Sequence, residues 1–268
     1  MPFARLARRF GLFRKDPMSS AKLSFELPIF PKIPNEMRKG RNLNGGYTRG
    51  WGIQYGDLAE KIRQDPLYRD AVRFADGRSV QSEDNRMNMF LLMAFYFDAL
   101  PPVNIVEFGT FRGGSALFMA RVCQVLHPET RIYAFDTFEG MPETNADVDA
   151  HNIGDFNTAD LGEIRAYAAA HGLSNIEFVK GLFEDTLPGK LAEIGPIRLN
   201  HIDCDIHSGV VYSYEATKPN MVSGGYIVLD DPLYSSCIGA YEAVEDIFVR
   251  RDNLSAEQVF PHLVYRAA

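Results

Sequence analysis

Along the chain the spacing of apolar and polar positions changes character several times. The first 50 residues hold no sustained period; Pro, Gly and basic residues interrupt it (LPIFPKIPNEM, GRNLNGGYTRG), which predicts an arm or lid with little regular structure. A short helical pattern lies between residues 53 and 76. Ser82 then reads as a helix cap, with Glu83 and Asp84 in the first turn and an apolar run over 87–100 that Pro101 ends. Beyond Pro101, short apolar runs alternate with helix-periodic segments. Strands are predicted at 105–108, 132–135, 176–179, 197–202 and 226–229. Helices are predicted at 115–126, from Asn157 or Thr158 to about 172, and at 188–194, 209–222 and 238–250. Two short strands, at 258–260 and 263–265, finish the chain. This alternation predicts an α/β fold, a parallel sheet with helices on both faces. Ligands of such sheets bind beyond the carboxyl ends of the strands, where the strand order reverses.

Composition narrows the class. A chain of 268 residues, 46% hydrophobic and 24% charged, is ordinary for a globular protein and long enough for one domain plus an extension. The boundary is placed at residue 50, with an arm over 1–50 and the main domain over 51–268. Charge divides the same way. The first 50 residues hold eleven Lys/Arg against three Asp/Glu, a net of +8, and the remainder carries −15. An acidic body excludes a nucleic-acid face there, whereas the basic arm suits a peripheral membrane surface or a packing role. No run is long and apolar enough for a transmembrane segment, and no secretory signal is legible. Cys123, Cys204 and Cys237 share no metal-type spacing and cannot all pair, which points to a reduced, cytoplasmic setting.

Candidate chemistry gathers at the predicted strand ends. In VNIVEFGTFRGGS, Glu107 ends a strand, Gly109 opens a turn, and Gly113, Gly114 and Ser115 lead into a helix. The spacing is not the G-x-G-x-x-G of dinucleotide sites, so it suits a nucleoside without pyrophosphate, or a plain packing turn. Asp136 ends the next strand, where a carboxylate accepts from ribose hydroxyls or caps a turn. Phe183 and Glu184 follow the third strand and offer an adenine a ring and a hydrogen-bonding group. Asp203 and Asp205 lie in HIDCD, and Asp230 with Asp231 ends the strand after it. Several carboxylates at one point call for a hard cation or a retained proton, and oxygen donors without paired His or Cys point to Mg²⁺, Mn²⁺ or Ca²⁺.

The segments VEFGTFRGGSA, YAFDTFEGMPE, VKGLFEDTLP, HIDCDIHS and SGGYIVLDD resemble, in order, the macrocin O-methyltransferase family over about residues 82–250. The resemblance implies a Rossmann-like class I methyltransferase fold, a mostly parallel seven-stranded sheet with a C-terminal antiparallel hairpin. It implies an enzyme that methylates sugar or glycan hydroxyls with S-adenosyl-L-methionine. Glu107, Gly109, Gly113, Gly114 and Ser115 would then cradle the methionine end, Asp136 the ribose, and Phe183 and Glu184 the adenine. A divalent metal, Mg²⁺ by family habit, would fall on Asp203, Asp230 and Asp231, with Asp205 as general base. His207 stands where the family commonly has an aromatic residue, and is a second candidate base. A homo-oligomer is expected from the family and from the apolar run 87–100. Two other readings are a nicotinamide-dependent oxidoreductase, which wants pyrophosphate-spaced glycines, and a non-catalytic scaffold, which would tolerate loss of the strand-end carboxylates.

Overall fold

A computed structural model describes residues 37–38 and 41–268, with side chains from residue 45 onward. The basic segment over 1–36, with its expected membrane contact, lies outside the described residues. Helix α1 (Leu43–Tyr55) runs through the boundary expected at residue 50 and is followed by α2 (Leu58–Gln64) and α3 (Pro66–Ala75). Asp65 starts α3 by accepting from the backbone N–H groups of Leu67 and Tyr68 at 2.8 and 2.9 Å, with Pro66 at the first helical position. Ser82 caps α4 (Glu83–Leu91) as its sequence predicts, its Oγ accepting from Asn85 N at 3.1 Å. The apolar run then leaves α-helical geometry for a wider-turn stretch, Leu92–Tyr96, and a 3-10 turn, Phe97–Ala99.

The strand–helix alternation follows. Its elements are β1 (Asn104–Phe108), α5 (Gly114–Leu126), β2 (Ile132–Asp136), α6 (Leu161–Ala170), β3 (Ile176–Lys180), α7 (Phe183–Ile194), β4 (Ile197–Ile202), α8 (His207–Thr217), β5 (Met221–Leu229), α9 (Ile238–Ala243) and β6 (Leu263–Arg266). Sheet order is β3-β2-β1-β4-β5-β6; the first five are parallel and β6 is antiparallel to β5. Strand order reverses between β1 and β4, which makes that the switch point.

Besides a two-stranded pairing of Met37–Arg38 with Arg41–Asn42, the main sheet among the described residues has six strands, not the seven expected, and no full C-terminal hairpin. Residues 258–260 make only an isolated bridge, Gln258 to Val264, because residues 259–262 are used in reversing the chain before β6. Other ends move for local reasons. The helix expected over 209–222 stops at Thr217 because Pro219 breaks it, so β5 begins earlier, at Met221. Helix α7 starts at Phe183, where Glu184 and Asp185 suit a first turn, rather than at Pro188.

Alternating strand residues feed two apolar layers. Ile105, Ala134 and Leu199 pack with α3, α4 and α5 on one face. Phe108, Phe135 and Leu187 on the other face, with Ile202, Val210 and Phe248, pack α7, α8 and α9. Both faces are covered, so every loop above the carboxyl ends of the strands starts from a rigid point. No helix among the described residues is long and apolar enough to cross a membrane.

Candidate functional site

The chain leaves each strand by continuing its ladder for one more bond. Gly109 N donates to Phe135 O, Asp203 N to Phe108 O, Asp230 N to Ile202 O and Gly181 N to Asp136 O, all at 2.9–3.0 Å. These bonds fix the first loop residue above four strands. Gly109 has φ +88°, and a Cβ there would lie 1.6 Å from the carbonyl oxygen of Asp203. Only glycine lets β1 and β4 end this close together. The glycine is therefore demanded by the switch point itself.

A cleft lies above these ends. Among the residues expected at a site, Gly109, Ser115, Asp136, Phe183, Glu184, Asp203, Asp205, Asp230 and Asp231 line it. Four others do not. Glu107 is fully buried beneath the cleft, where its carboxylate takes Thr110 Oγ1 at 3.1 Å and His201 Nδ1 at 2.9 Å. Gly113, in a left-handed conformation, and Gly114 are contact glycines; a Cβ would meet Ile164 and Ser79 respectively. His207 opens α8, and its backbone N–H donates to Asp149 Oδ1 at 2.8 Å, so it braces a loop rather than entering the cleft.

Asp136 already accepts from two backbone amides, Phe111 N at 2.8 Å and Phe138 N at 2.6 Å. Burial raises its pKa despite these bonds. A carboxylate has further lone pairs, so its place in the cleft wall leaves it able to accept from a ligand hydroxyl. The ring of Phe183 stands edge-on to Phe108, with centroids 5.0 Å apart.

The carboxylates beyond β4 and β5 come together as the parallel pairing requires. Oxygens of Asp203, Asp230 and Asp231 all lie within 4.8 Å of one another. Their charge states differ for identifiable reasons. Burial, followed by neighbouring carboxylates, raises Asp203 and Asp231 well above the usual range. Burial also acts to raise Asp230, but His201 and His262 outweigh it and hold Asp230 well below that range. Burial opposes charge on His201 too, yet Asp230 and Glu107 on either side push it up to about 9. The result is a buried imidazolium between two carboxylates, with the ionised form favoured at Asp230 and the protonated form favoured at Asp203 and Asp231.

Residues outside the strand-end motifs complete this support. Oδ1 of Asp230 accepts from Gln81 Nε2 at 2.6 Å, Asn85 Nδ2 at 2.9 Å and His262 Nε2 at 2.8 Å. Asn88 Nδ2 lies 3.0 Å from His262 Nδ1, which leaves Nε2 to carry the proton toward Asp230. Asn85 and Asn88 share one buried face of α4, an i, i+3 polar stripe among the buried Met87, Met89, Phe90 and Leu91. That stripe was the one legible trace.

A model of the macrocin-O-methyltransferase family matches residues 92–257. The 8-demethyl-8-(2,3-dimethoxy-alpha-L-rhamnosyl)-tetracenomycin-C 4'-O-methyltransferase of Streptomyces olivaceus is 33% identical over 147 residues. That alignment covers 51% of this chain and 55% of the relative, so the chain spans about half the length of that protein. Among solved structures, the O-methyltransferase NovP superposes with a TM-score of 0.56 at 22% identity, over 68% of this chain and 78% of that one. The calicheamicin methyltransferase CalS11 superposes with a TM-score of 0.58 at 21% identity, over 75% and 93%. Both likenesses bear on the fold, and the fold here is theirs: a class I methyltransferase sheet.

Proposed function

The chain belongs to the macrocin-O-methyltransferase family, and on that premise we propose that it transfers a methyl group from S-adenosylmethionine to a hydroxyl of a sugar or glycosylated small molecule. The rhamnosyl acceptor in the name of the Streptomyces olivaceus relative supports that acceptor class. One observation carries the proposal. Four carboxylates, Asp203, Asp205, Asp230 and Asp231, share a cleft at the switch point with Asp136. The nicotinamide-dependent reading leaves that cluster unexplained.

S-adenosylmethionine, when bound, supplies an electrophilic methyl group on a sulfonium. In our reading Asp136 accepts from its ribose hydroxyls, Gly109 and Ser115 floor its methionine end, and Phe183 and Glu184 flank its adenine. Glu107, Gly113 and Gly114 act from beneath, holding the loop that forms the floor. The donor set Asp203, Asp230 and Asp231 is all oxygen and fits a hard divalent ion such as Mg²⁺. Such an ion, when bound, lowers the pKa of a coordinated hydroxyl. Asp230 meets it already ionised, since His201 and His262 keep it so. Asp203 and Asp231 would have to bind it as carboxylates, against the burial that favours their protonated forms.

Asp205 stands at the edge of this cluster, its backbone N–H donating to Asp231 Oδ2 at 2.8 Å. From there its carboxylate would take the proton of the acceptor hydroxyl when the methyl donor is bound. His207 takes no part in this scheme, because only its backbone amide is engaged and it lies outside the cleft wall. Much of the rate then comes from alignment of oxygen, carbon and sulfur. Calorimetry with S-adenosylhomocysteine tests the reading. Saturable one-to-one binding that Asp136→Ala weakens at least about 10-fold is expected; no binding to the intact protein overturns the reading.

A further inference from the structure

A second donor set lies at the other side of Asp205. His151 in the loop between β2 and α6, Asp205 after β4, and Cys237 just before α9 converge from three separate segments. Cys237 Sγ lies 3.3 Å from Asp205 Oδ1 and 3.8 Å from His151 Nε2, and His151 Nε2 lies 3.7 Å from Asp205 Oδ1. A tetrahedral zinc ion with ordinary bond lengths holds S, N and O donors about 3.3–3.6 Å apart. All three edges fall within a few tenths of an ångström of that.

The surroundings of each donor fit the same use. His151 Nδ1 lies 3.3 Å from Asp155 Oδ2, the carboxylate–histidine arrangement that turns the other ring nitrogen to a metal. Asp155 is itself fixed by Asn152 N at 2.9 Å, and its carbonyl oxygen receives Met141 N at 2.7 Å, so the loop carrying His151 is braced. Asp205 has φ +63°, a left-handed conformation that Asp tolerates better than most residues. The Cys237 thiol donates to Asp205 Oδ1 and its sulfur also faces His151 Nε2, so it already points at the other two donors. All three side chains line the cleft, which leaves a fourth coordination position open to it.

We propose that His151, Asp205 and Cys237 form a binding site for a soft divalent cation of the zinc class, separate from the all-oxygen set Asp203, Asp230 and Asp231. The thiol proton leaves as the cation enters, and Asp155 is the positioning residue for His151. Binding stands independently of methyl transfer. Its consequence rests on the function proposed above: an occupied site ties up Asp205, so zinc inhibits while Mg²⁺ does not.

Cobalt titration of the full, metal-free chain tests this. The expected result is a thiolate-to-cobalt charge-transfer band in the near ultraviolet that saturates with added Co²⁺ and that Zn²⁺ bleaches. Cys237→Ser should abolish the band, Asp155→Asn should weaken Zn²⁺ binding about 10-fold or more, and Asp230→Asn should keep the band. A band missing from the parent chain, or persisting in Cys237→Ser, overturns the site. Loss of the band in Asp230→Asn with native melting overturns its separateness. Where Cys237→Ser melts early, His151→Gln decides by the same Zn²⁺ titration: unchanged affinity refutes the site. Calorimetry with S-adenosylhomocysteine, read separately, tells failure of this site from failure of the methyltransferase reading.

Discussion

His201 shows how one buried side chain sets the charge of its neighbours. It is completely buried, yet Glu107 at 2.9 Å and Asp230 at 3.8 Å raise its pKa to about 9. The unfolded value is about 6.5. A histidine raised on folding contributes stability that is complete below about pH 6.5 and is lost as pH climbs through its folded value. The size of that contribution is on the order of 3 kcal/mol. Chemical unfolding of the parent and His201→Gln, in excess chelator, should therefore show a wide stability gap at pH 6 that closes toward pH 9.5. A gap that stays level across this range would refute the buried imidazolium. The sequence marked His201 only as a neighbour of Asp203 in HIDCD. Its two charged partners come from two other segments, and no local pattern pairs residues 94 and 29 positions apart.

Elements were legible where their signals are local. Ser82 and Pro101 bracketed α4 and its continuation, and the five parallel strands were expected where they stand, to within a few residues at their ends. Helix α1 was not expected, because LNGGYTRGWGIQY carries four glycines and little helical propensity. Packing explains it. Gly46 and Gly50 are one turn apart and face the chain near the C-terminus; a Cβ at Gly46 would lie 2.2 Å from Glu257 O, and one at Gly50 2.3 Å from Phe260 O. The glycines that weaken the helix alone are what lets it dock. Gly46→Ala, which should stabilise an isolated helix, is expected instead to destabilise the protein by about 1–3 kcal/mol through overpacking. A thermal melt at or above that of the parent would show that the docking is looser than this.

At the scale of the molecule, that docking ties the two ends of the described chain to the site between them. Buried Arg49 on α1 pairs with Glu257 at 2.9 Å and donates to Gln258 Oε1 at 3.0 Å. Gln258 donates to Asn88 at 2.8 Å, and Asn88, through His262, reaches Asp230. Glu257 also receives Arg266 of β6 at 3.1 Å. Breaking a buried pair from one side leaves a charge without its partner, so Arg49→Met should cost about 3 kcal/mol, softened by the remaining Arg266. Denaturant unfolding should show one transition at a lower midpoint; an unchanged midpoint would mean the ends are not coupled through this pair. The sequence by itself determined the α/β alternation, the glycine loop and the acidic strand ends, because each depends on residues close together in the chain. Only the tertiary structure decided that Glu107 lies beneath the cleft, that His207 stays out of it, and that His151 and Cys237 enter it. It also decided the strand count, since the reversal before β6 leaves a bridge where a seventh strand was expected. Those outcomes depend on which distant surfaces meet at the switch point, and burial and pairing across the sheet fix that rather than any local period.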